Sequence, residues 1–197
     1  MNDKIIWDDF RKGQKYALSH IYYQHVQLLF RYGKKFSQDD DLVKDTIQDL
    51  FFDLIRTREH LGETDSIKFY LVKAFRRRLF RSISRVRNPE SPEIEGIEPG
   101  ITYSVEEDLI GREDLSHRDE KIQKALKELS PKMREILYYR YTCGFEYSHI
   151  CELMGIQYDS ARKMVFRAIK ELKKSFPESG MMTFFALFSG KMNDSEK

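Results

Sequence analysis

Apolar residues recur along this chain at steps of three and four, the spacing of a helix face. They almost nowhere alternate with polar ones, as a half-buried strand requires. Between Phe10 and Tyr32 the positions Leu18, Ile21, Tyr22, Val26 and Leu29 mark one such face. Val43, Ile47, Leu50, Phe51 and Leu54 mark a second, on a helix predicted from about Asp41 to Arg58. The run Ser37-Gln-Asp-Asp-Asp before it is a loop and helix start, since carboxylates suit the positive end of a helix. Leu71, Phe75, Leu79, Ile83 and Val86 mark a third helix, from about Ser66 to Arg87. The chain is therefore expected to be all-α.

The pattern then stops. The stretch Asn88-Pro-Glu-Ser-Pro-Glu-Ile-Glu-Gly-Ile-Glu-Pro-Gly holds three prolines, two glycines and four glutamates, a density of breakers that excludes regular structure. Glu106-Glu-Asp and Glu113-Asp extend the acidic excess. Residues 88–116 thus read as an acidic flexible linker between two small helical domains, at 1–87 and 117–176. A tail, 177–197, is apolar from Met181 to Phe188 and polar beyond it.

In the second domain, Ser130-Pro131 is a strong helix start, with serine as N-cap and proline at the first helical position. Gly144 stands where a glycine stop is expected. A short helix from Tyr147 to Met154 is predicted to bury Ile150, Cys151 and Met154, and Gly155 to permit a tight turn. A second helix follows from about Tyr158 to Lys174, with Ala161, Val165, Ala168 and Leu172 as its buried stripe. Two short helices meeting at a glycine, the second basic on its outer side, form a helix-turn-helix. The second helix of such a pair enters the major groove of DNA. Phosphates need cations, and guanine edges favour arginine. Ser160, Arg162, Lys163, Phe166, Arg167 and Lys170 are the candidate contacts with duplex DNA.

Charge changes the picture of the third helix. The formal net charge is only +2, but it averages opposed segments. From Ile67 to Asn88 there are eight Lys or Arg residues and no acid. Tyr70, Lys73, Arg77, Phe80, Arg81 and Ser84 are placed on its far face, with Arg76 beside them. Rings interleaved with cations suit single-stranded nucleic acid, because unpaired bases stack while phosphates pair. Packing of Tyr70 and Phe80 on neighbouring helices remains the other reading. On the preceding helix, Asp45, Gln48, Asp49 and Phe52 share one face opposite the core. An aromatic in an acidic and amide patch fits a protein-docking surface; it equally fits a ring that covers a neighbouring helix.

Candidate chemistry adds little. There is no phosphate-binding loop, dinucleotide turn or His-Glu-x-x-His. His20, His25, His60, His117 and His149 lack metal-ligand spacing, and Cys143 and Cys151 suggest no disulfide framework. No catalytic residue, metal or cofactor is expected, and a reducing cytoplasm is the expected compartment. The longest apolar run, Met181 to Phe188, is far short of the roughly 20 residues of a membrane span.

Three stretches together resemble the extracytoplasmic function group of RNA polymerase sigma factors, in the sigma-70 family. Asp41-Leu-Val-Lys-Asp-Thr-Ile-Gln-Asp-Leu-Phe-Phe is similar to that group's second region. Leu129-Ser-Pro-Lys-Met-Arg-Glu-Ile-Leu, Gly144 through Ile156, and Ala161 through Leu172 are similar to its fourth. The resemblance implies a transcription initiation factor without chemistry of its own, whose partners are core RNA polymerase, promoter DNA and, in many members, an anti-sigma factor. It implies that Asp45, Gln48, Asp49 and Phe52 dock on polymerase. Tyr70, Lys73, Arg76, Arg77, Phe80 and Arg81 would bind and help melt the downstream promoter element, and the helix-turn-helix would read the upstream one. The chain departs from the group at Arg77 and at Phe80-Arg81, where the group often carries Asn and Asp. From the residues alone, a stand-alone helix-turn-helix regulator is the alternative, and an adaptor binding RNA or acidic partners is a third.

Overall fold

A computed structural model describes residues 2–87 and 124–175. The chain divides into two units, Met1–Pro99 and Gly100–Lys197. Helix is the only regular structure among the described residues. The expected linker and the apolar tail lie outside those residues.

Among the described residues, the first unit holds the α-helices α1 (Asp3–Arg11), α2 (Lys15–Lys34), α3 (Asp40–Thr57) and α4 (Ile67–Arg87), with a 3-10 turn at Arg58–His60. The sequence reading merged α1 into one long periodic stretch from Phe10. The chain instead breaks at Gly13, whose φ of +83° lies in the left-handed region that favours glycine. Helix α1 buries Ile6, Trp7 and Phe10. Its apolar positions were legible, but three residues span too little chain to establish a period.

Local chemistry sets the helix starts. Asp39 caps α3 by accepting from the N–H groups of Asp41 and Leu42, both at 3.0 Å. Helix α4 is capped twice. Ser66 Oγ accepts from Phe69 N–H at 3.2 Å, and Asp3 Oδ2 accepts from Ile67 N–H at 2.9 Å, from a residue far earlier in the chain. Trp7 Nε1 donates to the Gly62 carbonyl at 2.8 Å, so the buried indole has its partner and pins the loop before α4.

All five stripe residues expected on α3 are buried, and so are Leu71, Phe75, Leu79 and Ile83 of α4. Each such side chain withdrawn from water contributes roughly 1.5–3 kcal/mol before the entropy of ordering is subtracted. Val86 departs from its stripe and is 70 % exposed, because burial along α4 stops at Ser84. Gly33 lets α2 approach closely: a Cβ there would lie 2.6 Å from Val43 Cγ1.

The second unit holds α5 (Pro131–Leu137), α6 (Tyr147–Met154) and α7 (Tyr158–Ser175), after a helical segment at 124–128. Ser130 Oγ accepts from Met133 N–H at 3.3 Å, with Pro131 in the first turn. Helix α5 runs into a wider turn, Tyr138–Thr142, where the Cys143 N–H reaches back five residues to the Tyr138 carbonyl at 3.0 Å. The sequence carries no signal for that extra residue. The turn lets Tyr139 sink fully into the core, its hydroxyl donating to Glu135 Oε1 at 2.8 Å. Gly144 follows at φ +70°, and α6 ends at Gly155 with φ +64°.

Helix α6 buries Ile150 and Leu153, not the expected trio. Cys151 and Met154 are only half-buried. A helix of eight residues turns one narrow edge inward, and the i, i+3 pair 150/153 defines it. Ala161, Val165, Ala168 and Leu172 of α7 are all buried as expected.

Candidate functional site

Three helices, α3, α4 and α7, carry the residues that the sequence singled out. On α7, Ser160, Arg162, Lys163, Phe166, Arg167 and Lys170 are all exposed. Two parallel i, i+4 rows organise them: Asp159, Lys163 and Arg167 in one, Arg162, Phe166 and Lys170 in the other. The six residues of these rows line a shallow depression of about 510 Å³. Ser160 flanks it. The Arg162 guanidinium lies 6.0 Å from the Tyr158 ring, which itself meets Tyr147 of α6 edge-on at 5.5 Å. The sequence reading missed Asp159. Its first-turn position explains the acid as a helix-start preference, yet it also places a hydrogen-bond acceptor beside four cations.

Helix α6 is held to the turn before it by Arg140. Its Nη1 donates to the Phe145 carbonyl at 2.9 Å, and its guanidinium stacks 4.9 Å from the Tyr147 ring. Two helices joined by a left-handed glycine, with the second presenting a cationic outer face, have the geometry for insertion into a groove of duplex DNA.

On α4, the structure splits the expected aromatic and basic face. Arg77 and Arg81 are exposed, with Arg85 one turn on, so the cations form an i, i+4 stripe. Lys73, one turn before Arg77, is half-buried, as is Tyr70, whose ring packs 4.8 Å from Trp7. Phe80 is not on the open face. It is only 7 % exposed, meets Phe36 edge-on at 5.1 Å and is covered by the Arg76 guanidinium at 4.4 Å. Ser84 is likewise buried. The α4 helix packs on both α2 and α3, so its buried arc is wider than one stripe, and Phe80 falls inside it against the turn after α2.

On α3, Asp45, Gln48, Asp49 and Phe52 are all exposed, Phe52 by 67 %, so its ring does not cover a neighbouring helix. Gln48 and Phe52 join residues of α2 in lining an open groove of about 840 Å³. Leu18, Tyr22, Val26 and Phe30 form its α2 wall, and Ile55 extends the α3 wall. Asp45 and Asp49 stand outside this lining. Tyr23, 77 % exposed, also lines the groove and went unmarked in the sequence. Its signal was present: consecutive tyrosines on a helix cannot both face one core.

Electrostatics fixes the scaffold rather than a reactive centre. Arg78 donates to Asp53 from α4 to α3, and this hydrogen bond holds the Asp53 carboxyl below the usual carboxylate range. The Lys34 ammonium does the same for Asp40. Burial lowers the His25 imidazole to about 4. Among the described residues, no group of three His, Cys, Asp or Glu is placed to hold a metal ion, and no helix is long and apolar enough to cross a membrane. Cys143 and Cys151 are both unbridged thiols.

Comparison with known proteins gives the surfaces a context. Residues 119–172 match the family described as "Sigma-70, region 4". No curated protein sequence matches the chain significantly. Among solved structures, CnrH, determined in complex with the cytosolic domain of CnrY, is 13 % identical with a TM-score of 0.56, covering 87 % of this chain and 95 % of that one. The sigma factor RpoE of Bartonella quintana, solved with the anti-sigma factor NepR, is 22 % identical with a TM-score of 0.49 and coverages of 85 % and 96 %. BldN, from the RsbN–BldN complex, is 15 % identical with a TM-score of 0.34 and coverages of 86 % and 99 %. The matched segment contains α5, α6 and all but the last three residues of α7. Residues 119–172 are thus similar to region 4 of the sigma-70 family, and the chain shares its all-helical fold with CnrH.

Proposed function

We propose that this chain binds core RNA polymerase, directs it to specific promoters and helps to open them. The observation that carries the reading is the α7 face. A region 4 domain presents four cations and one aromatic ring in two ordered rows, outward from a packed helix-turn-helix. In this reading Ser160, Arg162, Lys163, Phe166, Arg167 and Lys170 meet the upstream promoter element as duplex. Lys73, Arg77 and Arg81, with Arg76 and the edge of Tyr70, track the downstream element. Phe80 supports Arg76 from beneath rather than stacking on a base, since its ring is covered. The α3 face of Asp45, Gln48, Asp49 and Phe52, continued across the groove by Tyr22 and Tyr23, docks on polymerase.

Each contact surface is small, and each unit alone would bind DNA weakly. Polymerase would hold the two at a fixed spacing, so that the second contact becomes intramolecular and the two act as one. In this reading the chain acts through binding, by the contacts of its α3, α4 and α7 faces, rather than by chemistry of its own. It would work in the cytoplasm, where its template is. CnrH was solved bound to another protein, and a comparable anti-sigma partner is proposed here for the α2–α3 groove, in competition with polymerase. A stand-alone helix-turn-helix regulator is disfavoured, because it leaves the first unit's exposed groove and basic stripe without a role.

The test is binding of the full chain to core polymerase. Asp49→Arg combined with Phe52→Ala should weaken it at least tenfold while leaving the thermal midpoint within a few degrees. Unchanged affinity would refute the docking face.

A further inference from the structure

Tyr147 and Tyr158 are the first residues of α6 and α7, and their rings meet edge-on at 5.5 Å. Each ring also holds a guanidinium: Arg140 lies 4.9 Å from the Tyr147 ring, and Arg162 lies 6.0 Å from the Tyr158 ring. The four side chains form one series across three elements, in the order cation, ring, ring, cation. Its inner end is fixed. Arg140 Nη1 donates to the carbonyl of buried Phe145 at 2.9 Å, and Glu146 Oε2 is 3.6 Å away. The wide turn at Tyr138–Thr142 carries that arginine. The outer end, Arg162, belongs to the exposed face of α7. Among the described residues, Lys163, Arg167 and Lys170 have no ring, ion-pair or hydrogen-bond partner, so the series singles out one cation of the four. An exposed arginine samples many rotamers, and ordering it on binding costs entropy. A ring one turn before it narrows that set before any partner arrives. Stacking on a ring leaves the guanidinium N–H groups available to donate.

We propose that Tyr158, braced by Tyr147 and Arg140, is a positioning residue that pre-orders Arg162 for its contact with promoter DNA. The inference rests on Arg162 meeting the upstream element, as argued above. Tyr158 acts through the arginine and makes no DNA contact in its place. The face of the ring does this work, not the hydroxyl, so phenylalanine can replace tyrosine and leucine cannot.

The test is a double-mutant cycle. Holoenzyme reconstituted from the full chain and core polymerase is used to select an upstream element from randomised duplexes, and binding to that element is measured. Tyr158→Ala should weaken it about threefold, the size of an exposed contact between a cation and a ring. Tyr158→Phe should match the parent, and Tyr158→Leu should behave as the alanine variant. In an Arg162→Ala background Tyr158→Ala should cost nothing further, whereas in a Lys163→Ala background it should still cost about threefold. Tyr158 is 52 % exposed, so these variants should keep the helical circular dichroism of the parent. In the free chain the Arg162 Nε proton should carry a ring-current shift that Tyr158→Ala removes and Tyr158→Phe preserves. A loss that persists in the Arg162→Ala background would overturn the proposal, as would a Tyr158→Leu variant equal to the parent or an Arg162 proton indifferent to Tyr158→Ala. If Arg162→Ala leaves binding unchanged while Lys163→Ala and Arg167→Ala weaken it, this inference alone has failed. If all three leave binding unchanged, the reading of α7 fails and takes this inference with it.

Discussion

Arg78 Nη2 of α4 lies 2.9 Å from Asp53 Oδ2 of α3, while Asp53 Oδ1 accepts from Arg56 at 2.8 Å on its own helix. One carboxylate thus joins the helix proposed to meet polymerase to the helix proposed to meet the downstream element. Both partners are about one-third exposed, so water screens the pair, and its value is in the range of about 0.5–1 kcal/mol. Asp53→Asn should lower the thermal midpoint by a few degrees near neutral pH. The folded state holds this carboxyl below its ordinary range, so the stabilisation is present above that range and lost as pH falls through it. The difference between parent and variant should therefore shrink in acid; a pH-independent difference would assign the effect to packing instead.

His25 supplies a second pH dependence, at higher pH. Burial favours its neutral form and lowers its pKa from 6.5 to about 4; Asp3 opposes the shift, while Lys68 and His20 add to it. Between those values the unfolded chain binds the proton and the folded chain does not, so stability rises with pH through this window. The contribution is complete above about 6.5 and falls away as pH drops toward 4, by roughly 3 kcal/mol. Denaturant melts from pH 4.5 to 7.5 should show this slope, and His25→Gln should flatten it. An unchanged slope in the variant would place the titration elsewhere.

Gly33 marks a close approach of α3 and α4 to α2. An added Cβ would meet Val43 Cγ1 at 2.6 Å and Phe75 Cζ at 3.2 Å. Alanine is the better helix former by about 1 kcal/mol, but overpacking costs about 1–3 kcal/mol and both obstacles are buried side chains. Gly33→Ala should lower the thermal midpoint, and Val43→Ala added to it should recover part of the loss. A rise in midpoint for the single variant would mean that α2 shifts without penalty.

Tyr23 tests how far the docking face extends. Its ring is 77 % exposed, so Tyr23→Ser should change stability by less than about 0.5 kcal/mol. If the groove is occupied by polymerase, that same change should weaken core binding about tenfold, as an aromatic anchor in an interface does. Wild-type affinity for core would confine the face to α3.

The two helical units, the boundaries of α3, α4, α6 and α7, and three buried stripes were legible because each stripe repeats over three or more turns. The α7 face was legible for the same reason: eighteen residues fix the phase, so the outward rows follow from the buried one. What was not legible depended on contacts between helices. The burial of Phe80 follows from Phe36, a residue after another helix, and a single-helix pattern contains no such information. The exposed groove beside Phe52 needed α2 laid against α3 before Tyr22 and Tyr23 could be recognised as its wall. Leu153 replaced Cys151 in the core of α6 because eight residues leave the phase of a helix loosely determined.

The central claim is that the chain gives core polymerase its promoter preference and does so only as part of the holoenzyme. The direct measurement is transcription in vitro from a library of promoter fragments, with core polymerase, with the chain, and with both. The account predicts RNA initiated at defined sites only when both are present, lost with Asp49→Arg/Phe52→Ala and reduced by Arg167→Ala, while the chain alone retains DNA weakly. No site-specific RNA from the complete mixture, or tight binding of one duplex by the chain without polymerase, would contradict it.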